Sequence, residues 1–263
     1  KIRSFYMDRG YLDFDIENTT VSISESKKNV YIAIIIDEGD KYNFGDIRIS
    51  GKYYPFKEES IFQNDIKTIK GEVFSRKLLN QSTELINKEL GNYGYAFSNV
   101  NPIPDVDKDN LTVGFNYFIE PGKKVYVRRI SFIGNERTQD KVLRREMRQF
   151  ESSYYDQEKI DQSTRRLKRT QYFEGVDIKT VSVPGISDQV DLTVAVKEKN
   201  TGSVKLGAGA SSDEGLVGSF SVTQANFLGT GNTVSATINT SSVNTVYSLS
   251  HIDPYFTLDG ISR

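Results

Sequence analysis

The stretch that decides the fold opens with VYVRRISFIGNERT at residues 125–138 and closes with QVDLTVAVKEKN at residues 189–200. Val125, Val127, Ile130 and Phe132 read as a strand that stops at Gly134-Asn135. A helix opened by Thr138 carries Val142, Leu143 and Met147 at helical spacing. A second, opened by Asp156, carries Ile160 and Leu167 and ends at Tyr172-Phe173. Two strands follow, about Val176–Val183 and Val190–Lys197, with a turn at Pro184-Gly185 between them. The period changes from two to 3.6 and back, which is the signal for an α+β module of order β-α-α-β-β.

Working outward, the same module recurs. Tyr42, Phe44, Ile47, Ile49 and Gly51 reappear at constant spacing as Val125, Val127, Ile130, Phe132 and Gly134. Gly10-Tyr11 likewise matches Gly94-Tyr95. Apolar phase, glycines and aromatic-glycine turns matching together mark an internal repeat. It divides the chain into a truncated copy at 1–39 and full copies at 40–122 and 123–200. In the truncated copy Ile2, Phe5 and Tyr6 end a helix terminated by Gly10, and a strand through Phe14, Ile16 and Val21 follows. Glu25–Asn29 is a polar turn, and Val30–Asp37 is β-branched enough for a central strand. In the second copy Pro55–Ile66 gives a short helix with Ile61, Phe62 and Ile66 inward. Ser75 caps a longer helix bearing Leu78, Leu79, Leu85, Ile86 and Leu90, which Gly91 ends. Val100–Ile103 is a strand interrupted by Pro102 and Pro104, hence an edge, and Leu111–Ile119 returns.

Residues 201–263 differ in kind. Beyond residue 202 the only charged residues are Lys205, Asp213, Glu214, Asp253, Asp259 and Arg263, in a chain of 263 residues with 34 Lys+Arg and 35 Asp+Glu. Val204, Leu206, Ala208 and Ala210 alternate with small or polar residues. Strands at about Leu216–Gln224, around Val234–Ile238 and at Thr245–Ile252 follow, with a tight turn at Leu228–Asn232. Such consecutive hairpins have the pattern of transmembrane β-strands, apolar on one face and polar but weakly charged on the other. Four strands do not close a barrel. The pattern therefore predicts an incomplete barrel in a polypeptide that continues past the last strand and begins before Lys1.

Chemistry is sparse. The net charge of −1 gives no field for nucleic acid, and cysteine is absent. The one histidine, His251, lies in an alternating strand. Gly207-Ala208-Gly209 has no following helix, as a nucleotide loop needs. Asp105, Asp107 and Asp109 lack the glycine and distal glutamate of a calcium loop. No motif here supports an enzyme or a cofactor. Two surfaces are candidates for binding. Basic runs at Arg144–Arg148 and Arg165–Arg169 read first as solvated helix faces. The strand Asp15, Ile16, Glu17, Asn18, Thr19, Thr20, Val21 and Ser22 is proline-free, and an exposed edge of this kind accepts an added strand of any sequence.

Several stretches resemble one family: Gly10-Tyr11, Gly91-Asn92-Tyr93-Gly94-Tyr95-Ala96, Val142-Leu143-Arg144-Arg145-Glu146-Met147-Arg148, Asn200-Thr201-Gly202-Ser203, Asn226-Phe227-Leu228-Gly229-Thr230-Gly231 and Asp253-Pro254-Tyr255-Phe256. Tandem β-α-α-β-β modules running directly into barrel hairpins resemble the POTRA domains of the BamA family of outer-membrane β-barrel assembly factors. The resemblance covers the whole chain. It implies the end of a third POTRA domain, all of a fourth and fifth, and the first barrel strands. It further implies a non-enzymatic factor in the Gram-negative outer membrane, with its POTRA domains in the periplasm. The implied partners are accessory lipoproteins, unfolded outer-membrane clients and outer-membrane lipid. In the family the fifth POTRA domain docks a BamD lipoprotein through charged residues, and the matching positions are Arg144 and Glu151. Phe150 precedes that glutamate, and Ser152 stands where glycine is common. Two alternatives differ in class: a translocation pore of the same superfamily, distinguished by its number of POTRA domains, and a soluble peptide-binding repeat protein, distinguished by whether the tail partitions into detergent.

Overall fold

The computed structural model describes residues 1–24, 26–52 and 62–257. The chain forms two compact units, Lys1–Lys124 and Val125–Arg263. Unit one begins with helix α1 (Ile2–Met7) and strands β1 (Asp15–Ile23) and β2 (Val30–Asp37), which pair antiparallel. It continues with β3 (Asn43–Gly51), α2 (Arg76–Asn92), β4 (Asn99–Asp107) and β5 (Thr112–Glu120). Unit two contains β6 (Tyr126–Ile133), α3 (Asp140–Arg144), α4 (Gln157–Arg169), β7 (Phe173–Ser182) and β8 (Gln189–Glu198). The strands β9 (Gly202–Ser211), β10 (Gly215–Gln224), β11 (Thr233–Thr240) and β12 (Thr245–Ile252) then form an antiparallel meander.

The two complete sheets share one plan. Their strand orders are β3-β5-β4 and β6-β8-β7. In each, the last strand is central, parallel to the first and antiparallel to the one before it. The central strands bury alternate residues, Val113, Phe115, Tyr117 and Ile119 in one and Val190, Leu192, Val194 and Val196 in the other. That alternation places one face on the core. Helix α2 packs Leu79, Ile86 and Leu90 into the first core, and α4 packs Ile160 and Leu167 into the second. The repeat of Gly51 and Gly134 has a physical cause. Both have positive φ, +110° and +83°, and a Cβ would lie 2.3 Å from Ile119 O and 2.1 Å from Val196 O, respectively. Only glycine lets the first strand leave the sheet there.

The outer edge of each first strand is also closed alike. Phe44 N–H donates to Glu72 O (2.7 Å) and Gly71 N–H to Phe44 O (2.8 Å). Val127 N–H donates to Ser153 O (2.9 Å) and Ser152 N–H to Val127 O (2.7 Å). In both modules a short segment preceding the long helix thus protects the parallel edge.

Several expectations require correction. Helix α2 is capped by the Ser75 hydroxyl, which accepts from Leu78 N–H. It continues past Gly91 to Asn92, and the positive-φ glycine is Gly94. Thr138 does not open a helix. Helix α3 has only five residues, with Gln139 at its N-cap and no side-chain cap, and the Thr138 hydroxyl accepts from Asn226 instead. Asp156 caps α4, accepting from Lys159 N–H, but α4 ends at Arg169 and Phe173 starts β7. Strand β4 runs through both prolines without interruption, and it is an edge. Strand β2 is not central: it belongs to a two-stranded sheet, and all but Ile36 of its residues are exposed. Its β-branched composition supplied a core-forming face, but among the described residues nothing lies over that face or pairs its second edge. The expected helix over Pro55–Ile66 falls mostly, and Glu25 of the polar turn entirely, outside the described residues.

Candidate partner-binding surfaces

Strand β1 holds the proline-free edge. Of Asp15, Ile16, Glu17, Asn18, Thr19, Thr20, Val21 and Ser22, only Ile16 is partly buried. A bulge lies between Ile16 and Asn18. Asp15 is ion-paired with Arg3 at the N-terminal end of the strand. Among the described residues β1 pairs only with β2, so its other edge carries unpaired backbone groups. The edge of β4 is a poorer template, since prolines 102 and 104 remove two donors. Strand β7, expected as an edge from its place in the module, is a proline-free edge as well.

Arg144 and Glu151 are brought together, but they face inward as well as outward. The Glu151 carboxylate accepts from Ile130 N–H at 2.8 Å. Arg144 donates to Ile130 O at 3.3 Å and to Glu151 Oε1 at 3.4 Å. Its guanidinium lies 5.1 Å from the Phe132 ring centroid. The pair therefore clasps the outer edge of β6 one rung beyond the point where backbone pairing ends. Both side chains remain about half exposed, 50% and 40%, so each keeps a solvent-facing polar surface. Among the other basic residues, Arg165 pairs with Glu158 at 2.6 Å. Arg128 donates to Asp191 at 2.9 Å, and that hydrogen bond holds the Asp191 carboxyl below the usual range.

A further polar site was not named as a site from the sequence. It joins the module at 125–198 to the ends of two hairpins in the same unit. Asn226 Nδ2 donates to the Thr138 hydroxyl (2.8 Å), Gln139 N–H to Gly229 O (3.0 Å) and the Tyr172 hydroxyl to Gly231 O (3.0 Å). Gly229 has φ +73°, and a Cβ there would lie 1.9 Å from Arg137 O. Glu198 accepts from the N–H groups of Arg137 (3.1 Å) and Thr138 (2.7 Å). Burial pushes its carboxyl up, yet those hydrogen bonds and the Arg137 charge prevail and hold it below its ordinary value. A cavity of about 590 Å³ opens beside this contact, with Arg137, Glu198, Lys199 and Phe227 in its wall. Nearby, buried Glu146 accepts from Arg166 at 2.8 Å and from the Tyr255 hydroxyl at 2.8 Å. The expected tight turn at 228–232 is part of a docked loop in which Asn226, Leu228, Gly229 and Gly231 all take positive φ.

The remaining sequence candidates are structural. Asp107 accepts from Asp109 and Asn110 N–H in its own loop, which keeps its carboxyl low, with the Asn110 side-chain hydrogen bond as the largest cause. His251 lies 3.2 Å from the Asn232 amide.

Comparison with known proteins agrees with this arrangement. A protein from Neisseria meningitidis serogroup B named "Outer membrane protein assembly factor BamA" is 36% identical over 263 residues, all of this chain and 33% of that protein. The chain thus spans about a third of that relative's length. The crystal structure of BamA from Haemophilus ducreyi lacking POTRA domains 1–3 is 35% identical with a TM-score of 0.73, over 84% of this chain and 41% of that one. Haemophilus influenzae BamA POTRA3-5 is 30% identical with a TM-score of 0.70, over 75% of this chain and 77% of that one. The family model described as "POTRA: Surface antigen variable number repeat" matches residues 1–39, 42–122 and 125–199, so this chain belongs to the POTRA family.

Proposed function

We propose that the chain is the periplasm-to-membrane portion of an outer-membrane β-barrel assembly factor, acting without catalysis. Residues 1–39 are the end of one POTRA domain, 40–122 and 123–200 are two complete ones of β-α-α-β-β order, and 201–263 begin an incomplete transmembrane β-barrel. The POTRA domains stand in the periplasm and receive unfolded outer-membrane clients and accessory lipoproteins. Asp15–Ser22 offers backbone groups to a client strand, and Arg144 with Glu151 offers charge to a BamD-like lipoprotein. The hairpins face outer-membrane lipid.

One observation carries this reading: POTRA modules pass within a few residues into a weakly charged antiparallel meander whose large apolar side chains, Val204, Leu206, Leu216 and Leu249, are exposed. In water such a face is a liability, and in a bilayer it is the expected exterior. The likeness, over all of this chain and 33% of a protein named as an assembly factor, supports the same conclusion. Depletion of the protein in its own organism tests it. Loss of many folded barrel proteins from the outer membrane is the expected result. Normal barrel insertion with loss of one exported passenger would replace this reading with the translocation pore.

A further inference from the structure

The last POTRA module and the hairpin sheet meet through two contacts of different kinds. The first is the loop 226–231 on Thr138, Gln139 and Tyr172. Backbone carbonyls of Gly229 and Gly231 take part in it, and a Cβ at Gly229 would strike the module backbone. The second is made of side chains alone. Tyr255 follows β12, and its hydroxyl donates to Glu146 Oε1 (2.8 Å) while accepting from Arg166 Nη2 (2.9 Å). Arg166 also meets Glu146 Oε2 at 2.8 Å. The Arg145 guanidinium lies 4.1 Å from the Tyr255 ring centroid.

We propose that these contacts are a pivot and a latch: the 226–231 loop is the pivot, and Tyr255 in the Glu146–Arg166–Arg145 socket is the latch that sets the angle between the POTRA module and the hairpins. The socket belongs to the module alone. Glu146, directly after α3, is 6% exposed, and its ion pair with Arg166 of α4 uses no atom of the hairpins. Tyr255 supplies the remaining donor to a buried carboxylate and a ring face to a cation, both strengthened away from water. Release costs side-chain contacts only, without unfolding a strand or helix. Movement about the 226–231 loop would then carry β12 and the chain beyond it away from the module. This inference does not rest on the assembly function. It concerns the relation of two parts of one compact unit.

Residues 1–263 hold no cysteine, so, with any cysteine elsewhere in the reading frame changed to serine, Lys179→Cys and Val243→Cys give a single pair of nitroxide labels on exposed positions of module and sheet. The measurement is electron–electron distance in nanodiscs, on the natural reading frame that contains residues 1–263. Tyr255→Phe keeps the ring and removes both hydroxyl hydrogen bonds, which involve charged groups. The undocked fraction should rise about tenfold or more, seen as a second or broadened distance. Glu146→Gln should act in the same direction. Amide exchange at 253–257 should quicken while that of the α3 core is unchanged. An unaltered distance distribution and unaltered exchange in Tyr255→Phe would overturn the latch. If Glu146→Gln disrupts the module itself, Tyr255→Phe still decides, because its side chain enters from outside the module.

Discussion

Replacing Glu151 by alanine tests whether the Arg144–Glu151 pair is part of the fold. The carboxylate accepts from Ile130 N–H at 2.8 Å, on a residue that is 3% exposed. A hydrogen bond to a charged group contributes roughly 1.5–3 kcal/mol. The Arg144 contact at 3.4 Å joins two half-exposed side chains, so it adds at most about 1 kcal/mol. Glu151→Ala should therefore destabilise the module by about 2 kcal/mol, most of it from the stranded amide. For a domain of this size that is roughly an 8–16 °C fall in thermal midpoint. Glu151→Gln, which keeps an oxygen acceptor, should lose about half as much. Thermal and urea unfolding by circular dichroism measure the loss, and amide exchange at Ile130 locates it. A midpoint moved by less than about 2 °C, with Ile130 still protected, would refute the clasp. The same variants calibrate partner binding. Reversing Arg144 or Glu151 should weaken capture of a BamD-like lipoprotein, and only the part of that loss exceeding the fold defect reports direct contact.

Four further outcomes are expected. Asp156→Ala removes the oxygen that caps α4 and should cost about 1 kcal/mol in denaturant unfolding. Gly229→Ala places a methyl against the Arg137 carbonyl and should quicken amide exchange at both Gln139 and the 226–231 loop. Glu198 has a depressed folded-state pKa, so its contribution is present above the ordinary glutamate value and lost as pH falls through the folded one. The stability advantage of the natural protein over Glu198→Gln should thus be full at pH 7, begin to fall near the ordinary glutamate value of about 4.3, and be lost once the pH is below the lowered folded value. Residues 204–252 should exchange quickly or self-associate in buffer, since open strand edges and exposed apolar faces lack partners there. Slow exchange in a monomeric, detergent-free sample would remove the barrel reading.

What could be read in the sequence followed from local rules. Ser75 and Asp156 cap helices because each side-chain oxygen reaches an amide three residues on. The alternation in Val190–Val196 encodes burial directly, and Gly51 and Gly134 recur because each marks the point where the first strand leaves the sheet. What could not be read depends on distant partners. Thr138 has the right chemistry for an N-cap, but its hydroxyl is claimed by Asn226, 88 residues away. Val30–Asp37 has the composition of a central strand, but composition does not count neighbours. The socket at Glu146 was hidden because its donors lie 20 and 109 positions off in sequence. One signal was available: Glu146 is the single acid within the basic run Arg144–Arg148, and a lone carboxylate among arginines just after a partly buried helix is there to be neutralised.

The Arg144–Glu151 pair shows how resemblance and geometry constrain one another. Resemblance selects these residues as a docking charge pair, and the structure gives both a second task on the β6 edge. The two tasks are compatible, because the side chains that hold the β6 edge stay about half exposed. Glu151 Oε1 faces Ile130, while the side chain retains exposure to a partner. A charge that is already oriented by the fold loses less side-chain freedom when it binds. It follows that Arg144→Lys should weaken partner capture even though the charge is kept. Lysine lacks the planar fork that meets the Ile130 carbonyl and the Glu151 carboxylate together. Capture by Arg144→Lys at the natural level, with Ile130 exchange also unchanged, would mean that the clasp does not organise the docking surface and that the two tasks are independent.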